Sequence, residues 1–185
     1  MSQLQRVRKA SQPDETDWRS IPHAQWRPHM KPTNKLYSDL CEPLKRVLRR
    51  HGRSTIHIAT GFLSPNVDAA VASLGLTDVR LLIGLNPNKP LVSPSLFKGL
   101  QRLRTNEGVE VRCLHGLHAK MYVAPGKAVV VSSANFTRSG FEQLSEVAIE
   151  TTDDSIVAAV EALFLSWWRA ATPIDSVALQ PSRGS

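Results

Sequence analysis

His118 and Lys120 stand two apart in HAKMYV. Ser132, Ser133 and Asn135 follow within SSANFT, and Glu146 comes eleven residues after the asparagine. Together these side chains suit substitution at phosphorus. An imidazole attacks as a nucleophile near neutral pH. An ammonium and a carboxamide stabilise negative charge on non-bridging oxygens. A carboxylate orients an imidazole and selects its tautomer. None of these roles asks for a metal ion or an organic cofactor, so none is expected. The two cysteines, Cys41 and Cys113, have neither the number nor the spacing of a disulfide framework or a metal cluster, and read as buried thiols.

The surrounding pattern must bring these groups together. LHAKMYVAP and KAVVVSS read as strands joined around Pro125 and Gly126, a turn signal. Side chains two apart share one face of a strand. That spacing pairs His118 with Lys120, and Ser133 with Asn135, at one end of a sheet. Glu146 opens the next strand, SEVAIET, within reach of the same patch. His115 falls on the opposite face from His118, which argues against a two-histidine metal site.

The remaining segments supply the scaffold. KLYSDLCEPLKRVLRRHG, residues 35–52, reads as a helix: Leu36, Leu40, Leu44 and Leu48 recur every four positions, and Gly52 is a stop. Pro43 interrupts it and offers a later start. STIHIATGF alternates as a strand, with His57 expected as a satisfied core or edge histidine. SPNVDAAVASLG is a helix, with Ser64 as its cap and Gly75 at its end. VRLLIGL is an apolar strand, SPSLFKGLQRLRTN a helix with Pro94 in its first turn, and VEVRCL a strand. DDSIVAAVEALFLSWWRAAT is an amphipathic helix with an aspartate cap. Its Trp167 and Trp168 read as core packing and a dimer contact. The order implies an α/β domain, a mixed sheet flanked by helices on both faces, over residues 35–175. Residues 1–34 read as a basic, partly disordered arm, and 176–185 as a disordered tail.

Charge narrows the partner. The net charge is +7, and residues 1–53 carry all of it, with 12 Lys and Arg against 5 Asp and Glu. A basic segment suits a polyanion, because each phosphate neutralised releases counterions. Arg46, Arg49, Arg50 and Arg53 form a candidate phosphate-contacting stripe. Arg138, just beyond the asparagine, is a further candidate contact. A hydrophobic content of 42% excludes a disordered chain. No apolar run is long enough to cross a bilayer, and the N-terminus has no signal-like apolar stretch. A cytoplasmic setting and no membrane partner are expected.

HAK, SSANFT, Gly140 and Glu146 together resemble the motif of the phospholipase D superfamily, over roughly residues 54–170. The 17 positions from His118 to Asn135, and the 11 from there to Glu146, match its single-motif, restriction-endonuclease-like nucleases. The resemblance implies a metal-independent nuclease acting on DNA, or on RNA, at a composite site shared by a homodimer. His118 would form a phosphohistidine. Lys120, Asn135 and Ser133 would bind phosphoryl oxygens, with Ser132 and Arg138 nearby, and Glu146 would orient His118. Any sequence specificity would come from a protein partner. One position departs from the family. Pro125 stands where an aspartate is usual, and proline carries no charge. That keeps open a catalytically impaired nucleic-acid-binding module. A phosphodiesterase acting on phospholipid head groups is the other alternative.

Overall fold

The computed structural model describes residues 34–37, 41–142 and 145–182. Residues 1–33 lie outside that range, and with them nearly all of the expected arm. The elements are β1 (Asn34–Tyr37), α1 (Cys41–His51), β2 (Ile56–Thr60), α2 (Val67–Ser73), β3 (Val79–Ile83), β4 (Leu91–Val92), α3 (Pro94–Arg104) and β5 (Val109–Cys113). They continue with β6 (Met121–Ala124), β7 (Ala128–Ser132), α4 (Arg138–Glu142), β8 (Ala148–Thr151), α5 (Asp154–Ala170), β9 (Thr172–Pro173) and β10 (Gln180–Pro181).

Eight strands form one mixed sheet in the order β1-β8-β7-β6-β2-β3-β5-β9. The central strands are apolar on both faces, as a doubly covered sheet requires. Alternate side chains feed two cores. Ile58, Leu81, Tyr122 and Val130 pack under α1, α2 and α3 with Leu44, Leu48, Val67 and Leu100. Ala59, Leu82, Val123 and Val129 pack on the opposite face against Val157, Phe164 and Trp168 of α5. Each fully buried leucine or valine contributes about 2 kcal/mol of hydrophobic stabilisation before its entropy cost.

Helix ends follow their local chemistry. Ser93 accepts the Leu96 N–H at 3.2 Å ahead of Pro94. The Asp153 carboxylate caps α5 through the N–H groups of Ser155 and Ile156. Gly75 ends α2 with φ +66°, a left-handed conformation that a side chain disfavours. Ser64 does not cap that helix. Its Oγ instead accepts the Arg138 N–H at 2.7 Å, and α2 starts later, at Val67.

The first segment corrects the sequence expectation. Residues 35–52 are not one helix: Asn34–Tyr37 is a strand paired antiparallel with β8, with Leu36 opposite Ile149. The four-residue leucine spacing also fits a strand followed by a helix, because Leu44 and Leu48, joined by Val47, supply the buried face of α1 among the described residues. Pro43 falls within the first turn of α1, where its missing N–H costs nothing. At the other end, residues 176–182 are not a free tail. Val177 is buried, and β10 pairs in parallel with β4.

Candidate active site

The registers gather the chemistry-bearing residues at one end of the central strands. Ala59, next to the last residue of β2, lies opposite Met121, the first of β6. Met121 lies opposite Val131, and Ser132, the last residue of β7, opposite Ala148, the first of β8. Thr60–Phe62, His118–Lys120, Ser133–Asn135 and Glu146 therefore all leave the sheet at the same side.

His118 and Lys120 do not sit within a strand, as the alternating pattern suggested. They lie in the loop before β6, and only the Lys120 carbonyl extends the ladder, accepting the Ser132 N–H at 3.0 Å. The loop still brings the two side chains together. Lys120 Nζ lies 3.1 Å from His118 Nδ1 and 3.0 Å from Nε2, and donates to the His118 carbonyl at 2.7 Å. An ammonium only donates, so the ring nitrogen it bonds must accept. Partial burial lowers the Lys120 pKa, and the Glu146 charge opposes the shift.

Asn135 meets this pair at Gly61. A Cβ on Gly61 would lie 3.3 Å from His118 Cδ2 and 3.4 Å from Asn135 Oδ1. The Asn135 oxygen accepts the Phe62 N–H at 3.1 Å and lies 3.4 Å from Thr60 Oγ1. Thr60 Oγ1 also donates to the Phe62 carbonyl at 2.8 Å and accepts the Phe136 N–H at 3.0 Å. With its oxygen held this way, the carboxamide leaves its NH₂ to donate to a ligand. The Phe62 ring stands edge-on to His118, with centroids 6.4 Å apart and an interplanar angle of 85°.

Thr60, Gly61, Phe62 and Gly84 were not singled out in the sequence. The signal was there in the glycines that end two apolar strands, ATGF and LLIGL. A Cβ on Gly84 would come within 2.4 Å of the Leu117 carbonyl, so only glycine lets the His118 loop lie against β3.

Glu146 reaches the site by a different contact from the one expected. The Ser133 hydroxyl donates to its carboxylate, and Ser133 Oγ also accepts the Val147 N–H at 3.0 Å. Among the described residues its hydrogen-bond partner is Ser133 rather than His118. Ser132 also has a local partner. Its hydroxyl accepts the Ala134 N–H at 2.7 Å and closes the turn that ends β7. Pro125 lies in the turn after β6, five residues from Lys120. That places it about 16 Å away along the strand. Gly126 N–H in the same turn donates to Glu161 Oε2 at 3.1 Å, so α5 supplies a carboxylate there.

The candidate arginines divide. Arg49 and Arg138, with Lys45, line a cleft of about 560 Å³ between α1, α2 and the segment after Asn135. Arg50 and Arg53 are exposed but do not line it, and the Arg46 side chain lies outside the described residues. His115 is exposed, and no group of three His, Cys, Asp or Glu among the described residues is placed to hold a metal ion. His57 is not satisfied. It is 3% exposed and stacked on Phe164 at 4.6 Å, and its Nδ1 has no partner among the described residues. Trp168 is core, stacked on Phe164 at 5.7 Å.

A four-part constellation at the ends of the central strands of a mixed sheet defines a class, and comparison with known proteins agrees with it. The family described as "Cardiolipin synthase, PLD-like domain" matches residues 49–168. The chain belongs to this phospholipase D-like family, and is a hydrolase of phosphodiester bonds. No curated protein matches the sequence. Among solved structures, NucT from Helicobacter pylori aligns with a TM-score of 0.60 at 18% identity, covering 76% of this chain and 98% of that one. The phospholipase D family member Nuc from Salmonella typhimurium aligns at 0.59 and 18%, covering 77% and 98%. TrmBL2, an archaeal chromatin protein described with a novel mode of DNA binding, aligns at 0.51 and 14%, covering 78% and 56%. These likenesses concern the fold. No helix among the described residues is long and apolar enough to cross a membrane.

Proposed function

We propose that this chain is a metal-independent nuclease, with DNA as its main substrate and a phosphohistidine as its intermediate. The observation that carries the reading is the arrangement around Gly61. Lys120 touches the ring of His118, and Asn135 leaves its NH₂ for a phosphoryl oxygen. Substrate oxygens would take over the Lys120 donors and release the imidazole for attack. His118 bonds to phosphorus as the bond to the leaving oxygen breaks, and that oxygen takes a proton from the partner's His118. Water then loses a proton to that same imidazole and attacks phosphorus, breaking the N–P bond. Lys120 and Asn135 stabilise the charge on the non-bridging oxygens in both steps.

Three features favour a working enzyme acting on nucleic acid. The Pro125 position lies at the far end of β6, so losing its aspartate removes no group from the reacting centre. The cleft bearing Lys45, Arg49 and Arg138 begins directly after Asn135 and suits a polyanionic backbone. The fold is shared with a protein described as binding DNA.

The single motif motivates the homodimer, and the sheet offers a surface for it. Leu36, Ile149 and Val131 form a row across β1, β8 and β7 that is about half exposed, with Val147 beside it. The row borders Ser133 and Glu146. A two-fold copy covering it would bring two sites together.

Trapping tests the covalent step. Labelled DNA quenched under denaturing alkaline conditions during turnover should leave acid-labile label on the protein, and His118→Ala should carry none. Rapid cutting with no label at any time point would replace the phosphohistidine with direct attack by water.

A further inference from the structure

We propose that Phe62 is a base-stacking platform, and that the apolar pocket beside it receives the nucleobase next to the scissile phosphate; the proposal rests on the nuclease reading. Phe62 is 62% exposed, although phenylalanine is among the residues most often buried. Its backbone is fixed on both sides. The N–H is held by Asn135 Oδ1 at 3.1 Å and the carbonyl by Thr60 Oγ1 at 2.8 Å. A large apolar ring is thus kept in solvent on a well-anchored peptide, next to His118.

A pocket of about 300 Å³ opens alongside, lined by Gly61, Gly84, Leu63, Leu85 and Leu96, with Leu91 on its wall and 62% exposed. No charged residue lines it, so it suits a base and not a phosphate. The cationic cleft with Lys45, Arg49 and Arg138 lies elsewhere, along the chain that follows Asn135. The two depressions therefore sort the two parts of a nucleotide chain. One takes an aromatic face and the other takes the backbone, as in other surfaces that track single strands. The pocket adjoins the site through Gly61, on which a Cβ would lie 3.3 Å from His118 Cδ2 and 3.4 Å from Asn135 Oδ1.

The arrangement has a consequence for substrate form. Within a duplex the base faces are already stacked, and a base must be splayed out, at a cost of a few kcal/mol, to reach Phe62. A single strand avoids that cost, so single-stranded DNA should be cut in preference to duplex of the same sequence.

The test compares wild type, Phe62→Ala and Phe62→Trp on a single-stranded DNA oligomer and on an abasic oligomer of the same length. On DNA, Phe62→Ala should lose about 10- to 100-fold in kcat/KM, and Phe62→Trp should stay near wild type. On the abasic oligomer, the loss in Phe62→Ala should be several-fold smaller than on DNA. An equal loss on both oligomers would mean that the ring supports His118 and does not bind bases, which overturns the proposal. So would no loss on either, or a change of oligomeric state in Phe62→Ala, which would make the ring a subunit contact. Wild type that nicks plasmid but cuts neither oligomer would overturn the stacking proposal alone, whereas wild type that cuts neither the oligomers nor plasmid would sink the nuclease reading and the stacking proposal with it.

Discussion

His118 and Lys120 work as a pair whose contacts must change during a reaction cycle. The ammonium rests on the imidazole and on the His118 carbonyl. Glu146 stands behind, tied to Ser133, and its charge sustains the ammonium against the desolvation that lowers the Lys120 pKa. Glu146 thus influences the site through charge as well as through contact. Glu146→Gln should lower the Lys120 pKa further, because the opposing negative charge is gone. The alkaline limb of the kcat profile should then move to lower pH, as measured by initial rates across the limb. A limb that stays in place would show that Glu146 does not tune Lys120.

At the scale of elements, the site depends on how strands end. β2 and β3 are each followed directly by a glycine, Gly61 and Gly84, and these glycines let the His118 loop approach. Gly84→Ala would force the Leu117 carbonyl away from a Cβ at 2.4 Å. Activity should fall more than tenfold while the thermal midpoint drops only a few degrees; an unchanged kcat would show that the loop adapts without moving His118. The sequence carried much of this in its motif. His118, Lys120, Asn135, Ser133 and Glu146 were identified by type and spacing, and they do leave the sheet on one side. Other features depend on tertiary contacts and leave little local trace. The β1 strand looked helical because one row of leucines served two elements. Ser64 looked like a cap because nothing local shows that Arg138, 74 residues on, claims its hydroxyl. The Glu146 contact with Ser133 and the Phe62 contact with Asn135 likewise depend on distant segments meeting. Two-residue strands such as β4, β9 and β10 have too few residues to show a period.

At the scale of the molecule, two properties follow from the sheet as a whole. The first is association. If the Leu36–Ile149–Val131 row lies between two copies, a charge at its centre should separate them. Ile149→Glu should run as a monomer in light scattering and lose cutting activity together with the dimer. A monomeric wild type that cuts at full rate would remove the composite site. The second is acid sensitivity. Burial between β2 and α5 depresses the His57 pKa from its usual 6.5 to about 4, with Arg80 adding to the effect and Asp78 opposing it. The unfolded chain binds a proton below pH 6.5, whereas the folded chain resists until about 4. Stability should therefore be full above pH 6.5 and decline as the pH falls towards 4, by at most roughly 3 kcal/mol. His57→Leu should flatten that part of the curve in denaturant titrations. An unchanged slope would assign the acid sensitivity to other groups.

The central claim is metal-free cleavage by His118, and the most direct measurement is nicking of supercoiled plasmid in EDTA by wild type and by His118→Ala side by side. Nicking by the wild type, with a loss of at least a thousandfold in a folded His118→Ala, is the expected result. Cutting that appears only when a divalent metal is added, or that survives in His118→Ala, would contradict the mechanism.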